Sequence, residues 1–371
     1  MMHMHMALYL SKKMYRIIPR MSKYILSNVD FIRSTANVRY NIHIHKNIFK
    51  RSWRLNTTKR HRFYDEHKSQ GERFEIFLAV SLPTLIFNYL FGIEESDEET
   101  PEVIMMIKRS VLLIQKGEFA KAEQMLHLAL RQAQTIQHYD AITYIYDVMA
   151  NLSFDTGDYR KAEKLFVSVL QRLMSNGVSE DDMRVIHISL KMAKVFEQLK
   201  EMKKAEQGYK FCIENLKSHI EKDPENEDAI LLQGMTFDWY ARMLFSQSRH
   251  TEAFNYFLQA YDICKKINGE EHEQTIILLN DLGTVSYMQG EYDEAVKYLS
   301  AATKIGKNLP DMVDLGLIYV NLGNIFLKKG LYDEAKKSCQ QGRTIAKNGD
   351  DNASLLKADE CLKEVKRLLS L

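Results

Sequence analysis

Gly290-Glu-Tyr-Asp-Glu-Ala295 and Gly330-Leu-Tyr-Asp-Glu-Ala335 are two copies of one phrase, and four looser copies precede them. These read G-E-F-A-K-A up to Ala122, G-D-Y-R-K-A up to Ala162, K-E-M-K-K-A up to Ala205 and S-R-H-T-E-A up to Ala253. The aligned alanines are spaced 40, 43, 48, 42 and 40 residues apart. Twelve residues before each stands another small residue: Ser110, Ala150, Ala193, Ala241, Gly283 and Gly323. Four residues after each comes Leu126, Phe166, Tyr209, Phe257, Leu299 or Cys339. Small residues on two successive segments, separated by a turn with glycine and an aromatic, describe two closely packed antiparallel helices repeated six times.

That pattern is the tetratricopeptide repeat. It predicts an all-α fold: a right-handed superhelix, or α-solenoid, of about six helix pairs over residues 102–371, ending in a capping helix. Within one B helix, Ala295, Leu299 and Ala302 share a face at i, i+4, i+7 spacing. Asp293 and Glu294 sit in its first turn, where carboxylates favour the positive end of the helix dipole. Arg109 replaces the Met, Tyr or Leu found at the equivalent position of the other repeats, as suits an end repeat with one face unpartnered. Ile220 to Asp228 is acidic and carries Pro224, which reads as an extended loop accounting for the long spacing. Ala353 to Leu371 places Leu355, Leu362, Val365 and Leu369 at mostly three-to-four spacing and reads as the cap. The A helices are expected to line a concave groove suited to an extended peptide or a partner helix.

Ahead of the repeats the composition changes. Residues 1–64 hold 14 Lys and Arg against the single acid Asp30. The chain's overall charge of +2 therefore leaves the remaining 307 residues at −11. A basic stretch rich in Ser and Thr and poor in acids reads as a mitochondrial presequence, cleaved, over 1–70. A nucleic-acid-binding arm is the rival reading of the same charge. Targeting is preferred because a membrane-like segment follows, a transmembrane helix over 74–93. Its core, Ile76 to Ile93, is eighteen residues without a charge, and about seventeen is the lower limit for a span. A buried first helix of the repeat domain fits worse, because the run is apolar on all sides. Basic residues precede the segment and an acidic spacer, 94–101, follows it. With the basic flank retained on the matrix side, the repeat domain faces the intermembrane space.

Catalytic chemistry has no candidate constellation. There is no phosphate-binding glycine loop, and His272-Glu273-Gln274-Thr275-Ile276 lacks the second histidine of a metalloprotease helix. Cys212, Cys264, Cys339 and Cys361 are widely spaced with no C-x-x-C pair, so all four read as packing residues rather than bridged or reactive ones. No cofactor, metal, nucleic acid or small-molecule substrate is expected.

The strings Ala141-Ile-Thr-Tyr-Ile-Tyr-Asp-Val-Met-Ala-Asn-Leu-Ser153, Ile188-Ser-Leu-Lys-Met-Ala193, Gly208-Tyr-Lys-Phe-Cys-Ile213 and Gly269-Glu-Glu-His-Glu-Gln-Thr-Ile276 go beyond what packing requires. Together with the layout of leader, span, acidic stretch and repeats, they resemble the mitochondrial tetratricopeptide repeat protein 19 family. The resemblance covers about residues 100–371. It implies a non-catalytic, single-pass inner-membrane protein that binds respiratory complex III and supports its assembly or maintenance. It further implies help in clearing fragments of the Rieske iron–sulfur subunit. A general repeat adaptor or chaperone-docking protein, similar to the kinesin light chain, is the alternative. Groove-facing positions on the A helices are expected at Tyr144, Asp147, Asn151, Lys194, Asp238, Arg242, Asn280, Thr284 and Asn324, with Tyr144, Asn151 and Arg242 as anchors. These residues do not form the repeated Lys and Asn clamp by which some chaperones hold a terminal carboxylate.

Overall fold

The computed structural model describes residues 102–309, 312 and 314–370, and among them it is all helix. The presequence, transmembrane helix and acidic spacer expected from the sequence lie outside the described residues. Within them no helix is long and apolar enough to cross a membrane. Thirteen helices follow one another: α1 (Glu102–Gln115), α2 (Phe119–Thr135), α3 (Tyr139–Asp155), α4 (Tyr159–Ser175), α5 (Met183–Gln198), α6 (Met202–Lys222), α7 (Glu227–Ser246), α8 (His250–Asn268), α9 (Glu273–Met288), α10 (Tyr292–Gly306), α11 (Leu315–Lys328), α12 (Tyr332–Asn348) and α13 (Asn352–Leu369). Each packs on the next, and odd-numbered helices also touch one another, so the six pairs stack as a solenoid with α13 as its cap.

The aligned small residues explain the pairing. All six alanines are 0% exposed, each at the centre of its B helix's buried face. At α9 and α10 the approach is so close that a Cβ on Gly283 would come within 2.7 Å of Leu299 Cγ. At α11 and α12 a Cβ on Gly342 would meet the Gly316 carbonyl oxygen at 2.7 Å. Gly283→Leu should therefore cost about 1–3 kcal/mol by overpacking, read as a lowered thermal midpoint. An unchanged midpoint would mean that these two helices do not meet where the register places them.

The turn between the helices of a pair needs one residue with positive φ. Gly290 supplies it at φ 85°, but Lys200 does so at φ 61°. The backbone shape is thus held even where the sequence does not offer glycine, because packing on both sides dictates it.

Two expectations are corrected. The stretch Ile220 to Asp228 is not an extended loop: α6 continues to Lys222 and α7 begins at Glu227. Asn226 caps α7 by accepting a hydrogen bond from the Ala229 amide at 3.0 Å. The extra length is taken up as helix, and Pro224 occupies the short corner where no helical amide is needed. On α13, the expected cap, Val365 is buried as read and Leu355 and Leu362 are half-buried, but the rest of the buried stripe is Ser354, Ala358 and Cys361, and Leu369 is exposed.

A third correction concerns cysteine. Cys339 on α12 and Cys361 on α13 form a disulfide, with their Cα atoms 6.2 Å apart. Both belong to buried helix faces that meet across the last interface, a proximity their separation of 22 residues does not reveal. Cys212 and Cys264 are buried thiols, as expected of packing residues. Burial pushes the Cys212 thiol well above its ordinary range, and its Sγ donates to the Ile186 carbonyl at 3.4 Å.

Candidate functional site

The A helices carry an unusual number of buried polar groups, and these are joined from helix to helix. Lys191 on α5 donates from Nζ to both carboxylate oxygens of Asp147 on α3, at 3.1 and 3.3 Å. The two side chains are 7% and 3% exposed. Arg242 on α7 reaches Asp281 on α9 at 2.6 Å through Nη2, and its Nε lies 3.0 Å from Asp238 Oδ1. The second contact is an ion pair without hydrogen-bond alignment, since neither Asp238 oxygen has a hydrogen-bond partner. Asn321 on α11 donates to Asn280 Oδ1 on α9 at 2.9 Å. Three rungs thus tie successive A helices together.

Charge and burial are balanced within these rungs. Burial raises the Asp281 carboxyl to about 6, against the pull of Arg242 and with help from the nearby Asp238 and Asp314 charges. Burial also works against the Arg242 charge, but Asp238 and Asp281 overcome it and hold the guanidinium ionised. Lys194 pairs with Glu197 at 3.1 Å and places its ammonium 5.9 Å from the Trp239 ring centroid. Tyr209 donates to the same Glu197 at 2.9 Å. A parallel cluster ties α6 to α7 and α8. Burial works to raise Glu206, yet hydrogen bonds from Arg249, Lys210 and Tyr240 hold it at about 2.

The nine positions expected to face a groove fall into three groups. Tyr144 is 1% exposed inside the core of the first repeats, so it presents no surface while the fold is closed. Asp147, Asn151, Lys194, Asp238 and Asn280 are buried, and Arg242 is half-buried; all but Asn151 join a side-chain pairing. Asn151 donates to the Asp147 carbonyl of its own helix at 2.7 Å. Thr284 is half-buried and Asn324 is exposed. The partners Lys191, Asp281 and Asn321 were not anticipated. The signal for them was an opposite charge or matching amide about one repeat further along the chain.

Thr284 and Asn324 do come together, in a cavity of about 590 Å³ between α9, α10, α11, the start of α12 and α13. Asn321, Met288, Lys328 and Leu368 are among its other lining residues. It combines amides, the Lys328 ammonium, the Glu364 carboxylate and apolar walls, which suits an extended peptide segment better than a reacting small molecule. Among the described residues no group of three or more His, Cys, Asp or Glu is arranged to hold a metal ion.

His272 adds a pH-dependent element at the start of α9. As N-cap it accepts from the Gln274 amide through Nδ1 at 3.2 Å, and burial lowers its pKa from 6.5 to about 4. A base with a depressed folded pKa contributes stability that is present above about pH 6.5 and lost as pH falls through 4. The Asp281 contribution runs the other way: its raised pKa favours folding at low pH and is lost as pH rises through about 6. Comparing the wild type with His272→Asn isolates the first effect, since Asn caps without titrating. The variant should lose less thermal stability between pH 7 and 4.5; equal losses would mean that His272 does not set the acid sensitivity of the fold.

Comparisons with known proteins agree with this architecture. Tetratricopeptide repeat family models match residues 232–308 and 317–348. The mitochondrial tetratricopeptide repeat protein 19 homolog of Drosophila melanogaster is 36% identical over 283 residues, 76% of this chain and 77% of that one. The mitochondrial tetratricopeptide repeat protein 19 of Homo sapiens is 36% identical over 237 residues, 61% of this chain and 62% of that one. Among solved structures, the apo form of RapI superposes with a TM-score of 0.56 at 15% identity, covering 88% of this chain and 86% of its own. Aspartyl phosphate phosphatase F from Bacillus subtilis gives 0.53 at 15% identity, covering 91% and 84%. At that identity both show the fold alone. The chain's extended likeness to the Drosophila protein makes it a member of the tetratricopeptide repeat protein 19 family, whose named relatives are mitochondrial.

Proposed function

We propose that this protein is a non-catalytic, membrane-tethered binding module of the inner mitochondrial membrane that binds respiratory complex III. In this reading it supports the assembly or maintenance of the complex, including the clearance of Rieske subunit fragments. The observation that carries it is family membership: 36% identity across 76% of the chain. The uncharged run Ile76 to Ile93 supplies the tether, and the basic flank ahead of it leaves the repeats in the intermembrane space.

The site geometry supports a binding role. The rung residues on the A helices pair with one another, so they stiffen the stack rather than await a ligand. The cavity beside α13 is where the Asn324 amide and the Lys328 ammonium remain open, and it is the place where a partner segment is expected to dock. Mitochondria depleted of this protein test the reading: complex III activity should fall and Rieske fragments should accumulate, and re-expression of the full chain should reverse both. Normal activity with no fragments after complete depletion would refute it.

A further inference from the structure

We propose that the Cys339–Cys361 disulfide is an oxidative staple that fixes the terminal helix α13 and so completes the wall of the C-terminal cavity. The finished protein then forms only where disulfides persist. This inference does not depend on which partner the protein binds.

Two independent observations carry it. The first is a substitution within the repeat itself. The slot four residues after each aligned alanine holds a large buried side chain in five repeats: Leu126, Phe166, Tyr209, Phe257 and Leu299. In the sixth it holds Cys339, 0% exposed and bonded onward to the cap. The opposing residue is Gly323, and a Cβ there would collide with Cys339 Sγ. Gly283 opposes Leu299 in the same way, so the register is unchanged and a cystine takes the slot where the other repeats use an apolar anchor.

The second observation is that α13 buries a thin apolar face, helped by the half-buried Leu362 and the Arg343–Asp359 ion pair to α12. Its buried residues are Ser354, Ala358, Cys361 and Val365, all small or medium in size. By contrast α11 buries Leu315, Leu317, Ile318, Val320, Leu322 and Ile325. Apolar burial scales with area, so the cap's share is thin and its position leans on the covalent link. Glu364 and Leu368 line the cavity one and two turns beyond Cys361 on the same helix. A cap that lifts takes that wall with it.

The bond forms by thiol–disulfide exchange with a disulfide-donating protein. One cysteine thiolate attacks a sulfur of the donor disulfide, giving a mixed disulfide and releasing one donor thiolate. The second cysteine thiolate then attacks the mixed disulfide at the first cysteine's sulfur and expels the other donor thiolate. The two cysteines are oxidised, the donor is reduced to a dithiol, and the protons lost by the cysteines equal those the donor can take up. Both sulfurs are buried in the docked cap, with Cys361 only 3% exposed. Exchange therefore occurs while α13 is undocked, and docking then shields the product from reductants.

The test uses the full chain from mitochondria, denatured and treated with a mass-tagging maleimide. Of the four cysteines, Cys212 and Cys264 should label before reduction and all four after it. Labelling of all four before reduction overturns the proposal. In the purified full chain, Cys361→Ser should raise amide exchange in residues 352–369 by at least about ten-fold. Residues 139–268 should stay as protected as in the wild type, which doubles as the check on folding. If that variant does not fold, the oxidised and dithiol-reduced wild type give the same comparison. Equal protection of 352–369 in the two forms overturns the staple.

Discussion

Asp147→Leu is expected to cost about 3–5 kcal/mol, because it strands the Lys191 ammonium in a site where that side chain is 7% exposed. Burying two charges is expensive, and their mutual attraction with good geometry only just repays it. Removing one partner leaves the desolvation penalty with nothing to offset it. In a domain of this size such a loss lowers the thermal midpoint by about 10 °C. The double variant Asp147→Leu with Lys191→Met should recover most of the loss, since matched apolar groups replace a buried pair at little cost. A single variant that melts within about 1 kcal/mol of the wild type would mean the pair is solvated in solution.

Tyr209→Ala is the second large effect, also about 3–5 kcal/mol, the range for deleting a fully buried aromatic. Tyr209 fills the slot after Ala205, is 0% exposed, and stacks on Tyr240 at 5.5 Å between ring centroids. Tyr240 in turn contacts Tyr256 at 4.8 Å, so the loss reaches from α6 to α8. Tyr209→Phe should cost only about 0.5–1.5 kcal/mol, because Glu197 keeps Lys194 as its partner. In a solenoid the damage stays near the interfaces that lose contacts. Amide exchange should rise across α5 to α8 and remain unchanged in α12; a uniform rise along the whole domain would contradict a quasi-linear stack.

The helix pairs were legible because close packing leaves a mark at fixed intervals. Ala122 through Ala335 could not be larger without forcing helices apart, so their spacing in the sequence is the spacing of the fold. The rungs were half legible. Asp147 and Arg242 were read as groove-facing positions, yet their partners Lys191 and Asp281 are joined to them only by the stacking of one repeat on the next. Tyr144 shows the limit of periodicity: its spacing does not separate a groove from the core behind it, where it is buried. The Cys339–Cys361 link was invisible because it depends on the cap's rotation about its own axis, which the mixed set Leu355, Leu362, Val365 and Leu369 does not fix. Ile220 to Asp228 misled because acids and proline mark loops on average, whereas here Asn226 provides a helix cap immediately after Pro224.

Recovery of the full, tagged chain from detergent-solubilised mitochondria tests complex III binding most directly. The wild type should retain complex III subunits, including the Rieske protein. The pair Asn324→Ala with Lys328→Ala, both exposed at the cavity, should lose most of them while melting like the wild type. Recovery of the wild-type chain without complex III, under conditions that keep the complex intact, would mean that this protein does not bind it.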